Sequence, residues 1–442
     1  MISKDDKPKV YLFLTVALLI GTLFVLKYVN FISNTVNGIV GWFNVEPVLP
    51  TTSFLIPLGI SFYTFTILGY VIDVYNKITP VQSNYFKFLT FGMYFAPVLS
   101  GPIMKYREDG EQFFKPHKLE YRNITFGAQR VLWGFFKTIV VSERTKLIAD
   151  TVYNNPTEYQ GVFVFLATFC YAFTLYSNFS GCMDIVLGIS EMFALKLPEN
   201  FSTPFLAKNI SDYWRRWHIT LGVWMKEYVF YPLLRTGFFT SLQKKMKDRF
   251  GKKKGKQYTT FFAMFILWFT VGVWHGGDWK YVVGSGLLHW FYIVMGELTL
   301  EPVTKILTKV HIDPKARWVD ALRVIRTFLL ACLGFVFFRA NSFNDALILI
   351  KNAFSSFNVS RLFSVDIFNM GIDPIEFTIM LVSLALMIFI SVMGQNGSVR
   401  DKISKKKLPV RWIIWYALLF YTILLGYYGP GFSASEFIYQ GF

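Results

Sequence analysis

Two histidines stand where an imidazole could do work. His275 follows the apolar run Phe261–Val273, in Val273-Trp274-His275-Gly276-Gly277-Asp278-Trp279. His218 closes the string Tyr213-Trp214-Arg215-Arg216-Trp217-His218. Ionisable groups within a membrane-depth segment are costly and mark function by default. A neutral imidazole is the natural general base near neutral pH. Gly276 and Gly277 remove side chains beside His275, which lets a substrate or another backbone come close. The competing reading of His275 alone is a hydrogen-bonded structural histidine. His289, in Leu287-Leu288-His289-Trp290, could pair with His275, but packing is the simpler reading. His117 and His311 fall in polar loops and read as solvated. Five widely spaced histidines, with no Cys or carboxylate at ligand spacing, point away from a metal centre. Arg215 and Arg216 suit phosphate groups, or else anchor the chain at an interface beside Trp214 and Trp217. Asp184 could fix a histidine or an arginine, or serve only a helix contact. Cys170, Cys182 and Cys332 read as buried thiols, with an acyl-carrying Cys182 as the alternative.

The elements that must position these residues are apolar. Hydrophobic residues make up 53% of the 442-residue chain and charged ones 17%, against about a quarter charged in soluble domains. The apolar residues cluster in runs such as Tyr11–Val25, Phe54–Val74, Val162–Tyr176, Phe377–Met393 and Ile413–Tyr428. About 20 such residues in a helix cross a bilayer, so the pattern predicts an all-α, multi-pass membrane protein. The net charge of +17 lies in short loops. That fits the positive-inside rule better than nucleic-acid binding, and the basic clusters suit anionic lipid headgroups. Gln243–Gln257 carries eight Lys or Arg against one Asp, Thr299–Arg326 six basic against three acidic, and Gln395–Arg411 six against one. These three loops are expected in the cytoplasm and the sparsely charged Ala340–Pro374 outside. No cleavable signal peptide is expected at the N-terminus.

In the N-terminal half, helices are expected at Tyr11–Tyr28, Ser53–Tyr75, Tyr85–Ile103, Ile124–Val141 and Val162–Leu195. The last is expected to break near Asn178-Phe179-Ser180-Gly181. Asn209–Leu234 is too polar to face lipid throughout and should lie at the interface or re-enter buried in protein.

An ordered series of motifs adds to this reading. It runs Pro57-Leu58-Gly59-Ile60-Ser61-Phe62-Tyr63, Tyr70-Val71-Ile72-Asp73-Val74-Tyr75, Ser100-Gly101-Pro102-Ile103 and Tyr176-Ser177-Asn178-Phe179-Ser180-Gly181-Cys182-Met183-Asp184-Ile185. It continues through Leu197-Pro198-Glu199-Asn200-Phe201, the His218 string, Trp274-His275-Gly276 and Phe338-Arg339-Ala340. The series resembles the membrane-bound O-acyltransferase family, in the bacterial branch of alginate O-acetylases and teichoic acid D-alanyl transferases. The resemblance implies a ring of about 9–12 transmembrane and re-entrant helices around a central funnel, with residues 1–442 as one membrane-embedded domain. It implies His275 as catalytic base and His218 as a second functional position, with Trp274 in the same motif. The family's first helices are expected to be missing, and Gly181-Cys182-Met183-Asp184 replaces the usual Gly-Tyr-Ser-Asp.

Together these readings give an O-acyltransferase of the bacterial plasma membrane with no bound cofactor. It would pass an acyl group, most simply acetyl, from acetyl-CoA or an acyl carrier protein thioester toward an extracytoplasmic hydroxyl on a wall or exopolysaccharide. The resemblance also implies a separate extracytoplasmic partner of the SGNH (serine-histidine) type; its expected dock is the longest outer segment, Ala340–Pro374, with the aromatic Tyr427–Phe442, since exposed aromatics favour interfaces. D-alanyl transfer to teichoic acid is the near alternative. A transporter or flippase using Asp73, Asp184, Glu191 and Asp278 is the alternative from another class.

Overall fold

Apolar runs become helices because a backbone in hydrocarbon must satisfy its polar groups internally. The computed structural model describes residues 8–395 and 397–428. Among them six helices are long and apolar enough to cross a membrane: Lys9–Gly41, Val162–Met192, Gly237–Gly276, Trp279–Lys309, Arg317–Arg339 and Pro374–Gly394. No strand forms among the described residues beyond one isolated antiparallel bridge, Phe201 with Trp217. The fold is all-α and polytopic, as expected, and the protein is a multi-pass membrane protein.

The principal helices are α1 (Pro8–Gly41), α2 (Ile60–Tyr75), α3 (Tyr121–Phe135), α4 (Glu143–Asn154) and α5 (Val162–Met192). The short α6 (Ile210–Trp214) and α7 (Ile219–Met225) follow, then α8 (Gly237–Gly276), α9 (Leu288–Lys309) and α10 (Arg317–Arg339). The series ends with α11 (Phe343–Ala353), α12 (Pro374–Gly394) and α13 (Leu408–Leu424). Helix α5 is the hub: α3, α4, α10 and α11 all pack on it.

Several expectations are corrected. Helix α5 runs unbroken through Asn178–Gly181. Gly181 serves packing instead: a Cβ at Gly134 of α3 would lie 2.6 Å from the Gly181 carbonyl, and one at Gly188 would lie 2.6 Å from that of Gly127. Two glycine pairs thus bring antiparallel α3 and α5 into backbone contact. Helix α1 continues to Gly41 rather than stopping at Tyr28. The second helix begins at Ile60, after Gly59 at φ 73°. The helix expected over Tyr85–Ile103 stops at Gly92, and a turn from Pro97 to Gly101 (Gly101 N–H to Pro97 O, 2.8 Å) replaces its expected second half. The basic segment Gln243–Gln257 is a helical hairpin, not a loop. Helix α8 turns at Gly251 (φ 80°, ψ 162°), and its arms pair through Phe239–Phe262 at 5.6 Å and Phe250–Tyr258 at 5.1 Å. Ala340–Pro374 contains α11, whose Ala346 and Leu349 are fully buried. The docking surface expected at the C-terminus falls outside the described residues from position 429 onward.

The semi-polar stretch Asn209–Leu234 folds into short helices with Tyr213, Trp217 and His218 buried. Its first part, through Met225, is thus anchored in protein by these buried side chains, the condition under which irregular backbone survives at membrane depth, while Lys226–Leu234 has no buried residue.

Candidate active site

His275 sits in the last turn of α8 and is buried. Late carbonyls of a helix have no intrahelical donor. Here α1 supplies donors: Lys27 Nζ and Tyr28 Oη donate to the Trp274 carbonyl at 2.8 and 3.2 Å. The Lys27 cation also complements the negative end of the helix dipole. Gly277, at φ 58°, caps the helix, and a Cβ on Gly276 would lie 2.3 Å from the Tyr281 ring. The chain's own groups therefore occupy the space that both glycines leave. The His275 ring meets Trp274 at 5.0 Å and Phe338 at 5.4 Å between centroids. Neither of its ring nitrogens has a hydrogen-bond partner among the described residues.

His218 adopts φ 47°, a left-handed conformation that costs a non-glycine residue of order 1–3 kcal/mol and recurs at active sites. Its Nδ1 lies 3.2 Å from Asn200 Oδ1, which also accepts from the Thr220 backbone N–H and hydroxyl, each at 3.0 Å. The backbone donor fixes that atom as the amide oxygen, so His218 Nδ1 must carry the proton and Nε2 is the basic nitrogen. Asn200 itself is held by the Phe201–Trp217 bridge and by Ile219 N–H donating to its carbonyl at 3.0 Å. Its amide donates to Met183 Sδ at 3.3 Å. Met183 stands in the altered Gly181–Asp184 motif, so that change reaches the group orienting His218. Trp274 links the histidines, with its ring 6.0 Å from His218 and 5.0 Å from His275.

A cavity of about 660 Å³ opens between α3, α5, α12, α13 and the short helix Val399–Ser404; its wall includes Arg130, Lys137, Asp184, Asn200 and Trp415. Asp184 binds Arg130 Nε at 2.9 Å and Lys137 Nζ at 2.6 Å; it fixes two cations and no histidine. Arg130 also grips Glu199 through two bonds at 2.8 and 2.6 Å. Lys137 lies on a π-helical segment, Phe136–Ser142; such widened turns are frequent at functional sites. Arg216 pairs with Asp212 at 3.1 Å and reaches Thr203, on the cavity wall, at 3.4 Å. Arg215 points away, 71% exposed, and is not brought to the site. The other carboxylates are engaged: Asp73 by Arg107 and Tyr228, Glu191 by Arg400, and Asp278 by the Lys280 backbone N–H. Arg339 ties α10 to α4 through Asp150 at 2.6 Å.

Sequence reasoning missed Lys27, Lys137 and Asn200 as site residues. A lone lysine inside the apolar stretch Trp133–Val141 was the available signal for Lys137. Asn200 lay within a quoted motif, but its geometry depends on the Phe201–Trp217 bridge, which motif spacing does not reveal.

Comparison with known proteins bears on this geometry. The model of the membrane-bound O-acyltransferase family matches residues 76–335. A probable alginate O-acetylase of Azotobacter vinelandii is 29% identical over 323 residues, covering 72% of this chain and 58% of that protein. A peptidoglycan O-acetyltransferase of Helicobacter pylori is 29% identical over 385 residues, covering 79% of this chain and 68% of the relative. A teichoic acid D-alanyltransferase of Bacillus subtilis is 28% identical over 305 residues, covering 68% and 72%. The chain spans less than two thirds of the length of the alginate O-acetylases it matches. The matched stretch holds His218, His275, Asn200, Lys137 and Asp184, and on this evidence the chain belongs to the membrane-bound O-acyltransferase family.

Proposed function

We propose that this protein transfers an acyl group, acetyl in the first instance, from a cytoplasmic thioester to an extracytoplasmic hydroxyl. One observation carries the reading. Two buried histidines flank Trp274, and the Asn200 that orients one of them also walls a charged cavity. The cavity's Arg400 belongs to the basic segment Gln395–Arg411, which charge bias assigns to the cytoplasm. Acetyl-CoA or an acylated carrier protein would thus insert its thioester arm from that side, past Arg130, Lys137 and the rim cation Arg216.

In the proposed step the acceptor hydroxyl attacks the thioester carbonyl carbon while His275 removes its proton. The tetrahedral oxyanion needs a donor, and Trp274 Nε1–H is buried without a hydrogen-bond partner among the described residues. His218, protonated at Nδ1, offers Nε2 as an acceptor; it suits orienting a substrate N–H or O–H rather than holding an oxyanion. Collapse breaks the carbon–sulfur bond, the imidazolium returns its proton to the thiolate, and an ester and a free thiol leave. The ion-paired state of Asp73, Asp184 and Glu191 weakens the transporter reading, since coupling carboxylates must bind and release ions.

The acceptor polymer is proposed to be reached through a separate extracytoplasmic transferase docking at Ala340–Pro374. Reconstitution of the full chain in liposomes, with labelled acetyl-CoA outside or inside, tests the reading. Label should leave CoA only when CoA faces the basic side, and polymer should be acetylated only when the partner is added. D-alanyl transfer from a carrier protein, with none from acetyl-CoA, would move the chain to the teichoic acid reading. Transfer from neither donor would refute the proposal.

A further inference from the structure

His289 was expected to pack, and its ring does sit among aromatics. It stacks on Tyr213 at 6.3 Å and meets Trp214 edge-on at 5.0 Å. Yet His289 is only 4% exposed, its Nδ1 has no hydrogen-bond partner among the described residues, and its Nε2 is the nitrogen turned toward Gly334. A buried polar nitrogen left this way costs about 1–3 kcal/mol, so the site calls for a partner. His275, also 4% exposed, has two such nitrogens. The two histidines line one small cavity of about 20 Å³, together with Ser285, Gly284 and Gly334. About 10–15 Å³ is enough for one water, provided two or more polar groups hold it. His275, His289 and the Ser285 oxygen, whose hydroxyl donates to the Tyr281 carbonyl at 2.7 Å, meet that requirement. Gly284 and Ser285 lie on a second π-helical segment, Val282–Leu287, whose widened turn faces the cavity.

A general base works through one nitrogen only when a third group holds the other in the right tautomer. Among the described residues His275 has no direct partner of that kind. We propose that His289 fills the role through a single water in this cavity, and so is a positioning residue for His275. The inference rests on His275 being the base. The water accepts the N–H of one His275 nitrogen and donates to His289 Nε2, the ring nitrogen on the Gly334 side of the cavity, which leaves the lone pair of the other His275 nitrogen for the acceptor hydroxyl. When His275 takes the proton, the same bridge stabilises the imidazolium. No bond to carbon is made or broken at His289, and the proton returns from His275 to the departing thiolate.

The test uses the full chain, labelled with 15N-histidine, in lipid nanodiscs. His275→Gln assigns the His275 resonances by their loss. In the parent protein His275 should show one neutral tautomer. In His289→Phe it should become a mixture, and kcat for acetyl transfer should fall about 10- to 100-fold with KM little changed. His289→Gln can still bridge through the water and should keep the single tautomer and most of the rate. Gly334→Ala is the second route, because its Cβ would lie 2.9 Å from His289 Nε2 and would displace that ring; it should shift the His275 signals in the same direction. If His289→Phe fails to fold, Gly334→Ala decides. An unchanged His275 spectrum in the folded variant, or His289→Gln behaving like His289→Phe, overturns the proposal. Full transfer by His275→Gln would instead remove the base assignment, and the spectra would still report on the bridge.

Discussion

Consider replacing the two members of the buried ion pair in the large cavity one at a time. Lys137 is 6% exposed; among the described residues its ammonium bonds Asp184, at 2.6 Å, and Ser180 Oγ, at 2.9 Å, and lies 6.0 Å from the Tyr176 ring centroid. Asp184, 15% exposed, has a second cation in Arg130 at 2.9 Å. Asp184→Asn therefore leaves a buried ammonium without its counter-charge. Removing one partner of a buried pair costs about 3–5 kcal/mol. Lys137→Met leaves Asp184 still paired, so its cost is one charge-assisted hydrogen bond, about 1.5–3 kcal/mol. In the double variant no ammonium remains to be stranded, so its cost should stay near that of Lys137→Met alone. The single costs should then fail to add by about the cost of Asp184→Asn itself, about 3–5 kcal/mol, at or above the top of the range of about 0.5–3 kcal/mol seen for directly contacting residues. Unfolding in detergent or nanodiscs, followed by tryptophan fluorescence, reads this cycle. Equal costs for the two single variants, or costs that add, would refute the assignment of Asp184 as the counter-ion of Lys137.

Three further outcomes follow from the same geometry. Asn200→Leu removes the acceptor of the His218 Nδ1–H and of two Thr220 donors; transfer should fall at least about tenfold, while Asn200→Asp, which keeps an acceptor, should retain more activity, and equal activity in both would contradict the tautomer argument. Gly276→Ala places a Cβ 2.3 Å from the Tyr281 ring, so it should destabilise by about 1–3 kcal/mol through overpacking, measured by thermal unfolding. Cysteines placed at Lys253 and Lys406 should label only from the cytoplasm and one at Asn358 only from outside; labelling of Lys253 and Asn358 from one face would show the helix count to be wrong.

The spans were legible because apolar length is a local property, and so were His275 and His218, whose neighbours are unusual in an apolar segment. Element ends were less so. Asn178 and Ser180 suggested a break in α5, yet helix backbones stay satisfied there, and Gly181 and Gly188 serve contact with Gly134 and Gly127. The basic run Gln243–Gln257 looked like a loop because charge masks helix periodicity; its turn is one glycine, Gly251. The site's supporting groups were hidden for another reason. Lys27 reaches Trp274 across 247 positions, and Asn200 reaches His218 through a single bridge. Such long-range pairs leave no mark in local spacing. His289 reads as packing in sequence and becomes notable only when the cavity it shares with His275 is seen.

The central claim is that His275 is the general base of acyl transfer, and one measurement tests it most directly. Parent protein and His275→Gln, both reconstituted in liposomes and shown to have equal unfolding temperatures, are compared for labelled acetyl transfer from acetyl-CoA. Donor binding to the charged cavity should be unchanged, because none of its wall residues is touched. The rate should fall about 100- to 10,000-fold, the usual cost of losing a general base. A folded His275→Gln protein that transfers acetyl within a few-fold of the parent rate would contradict the account.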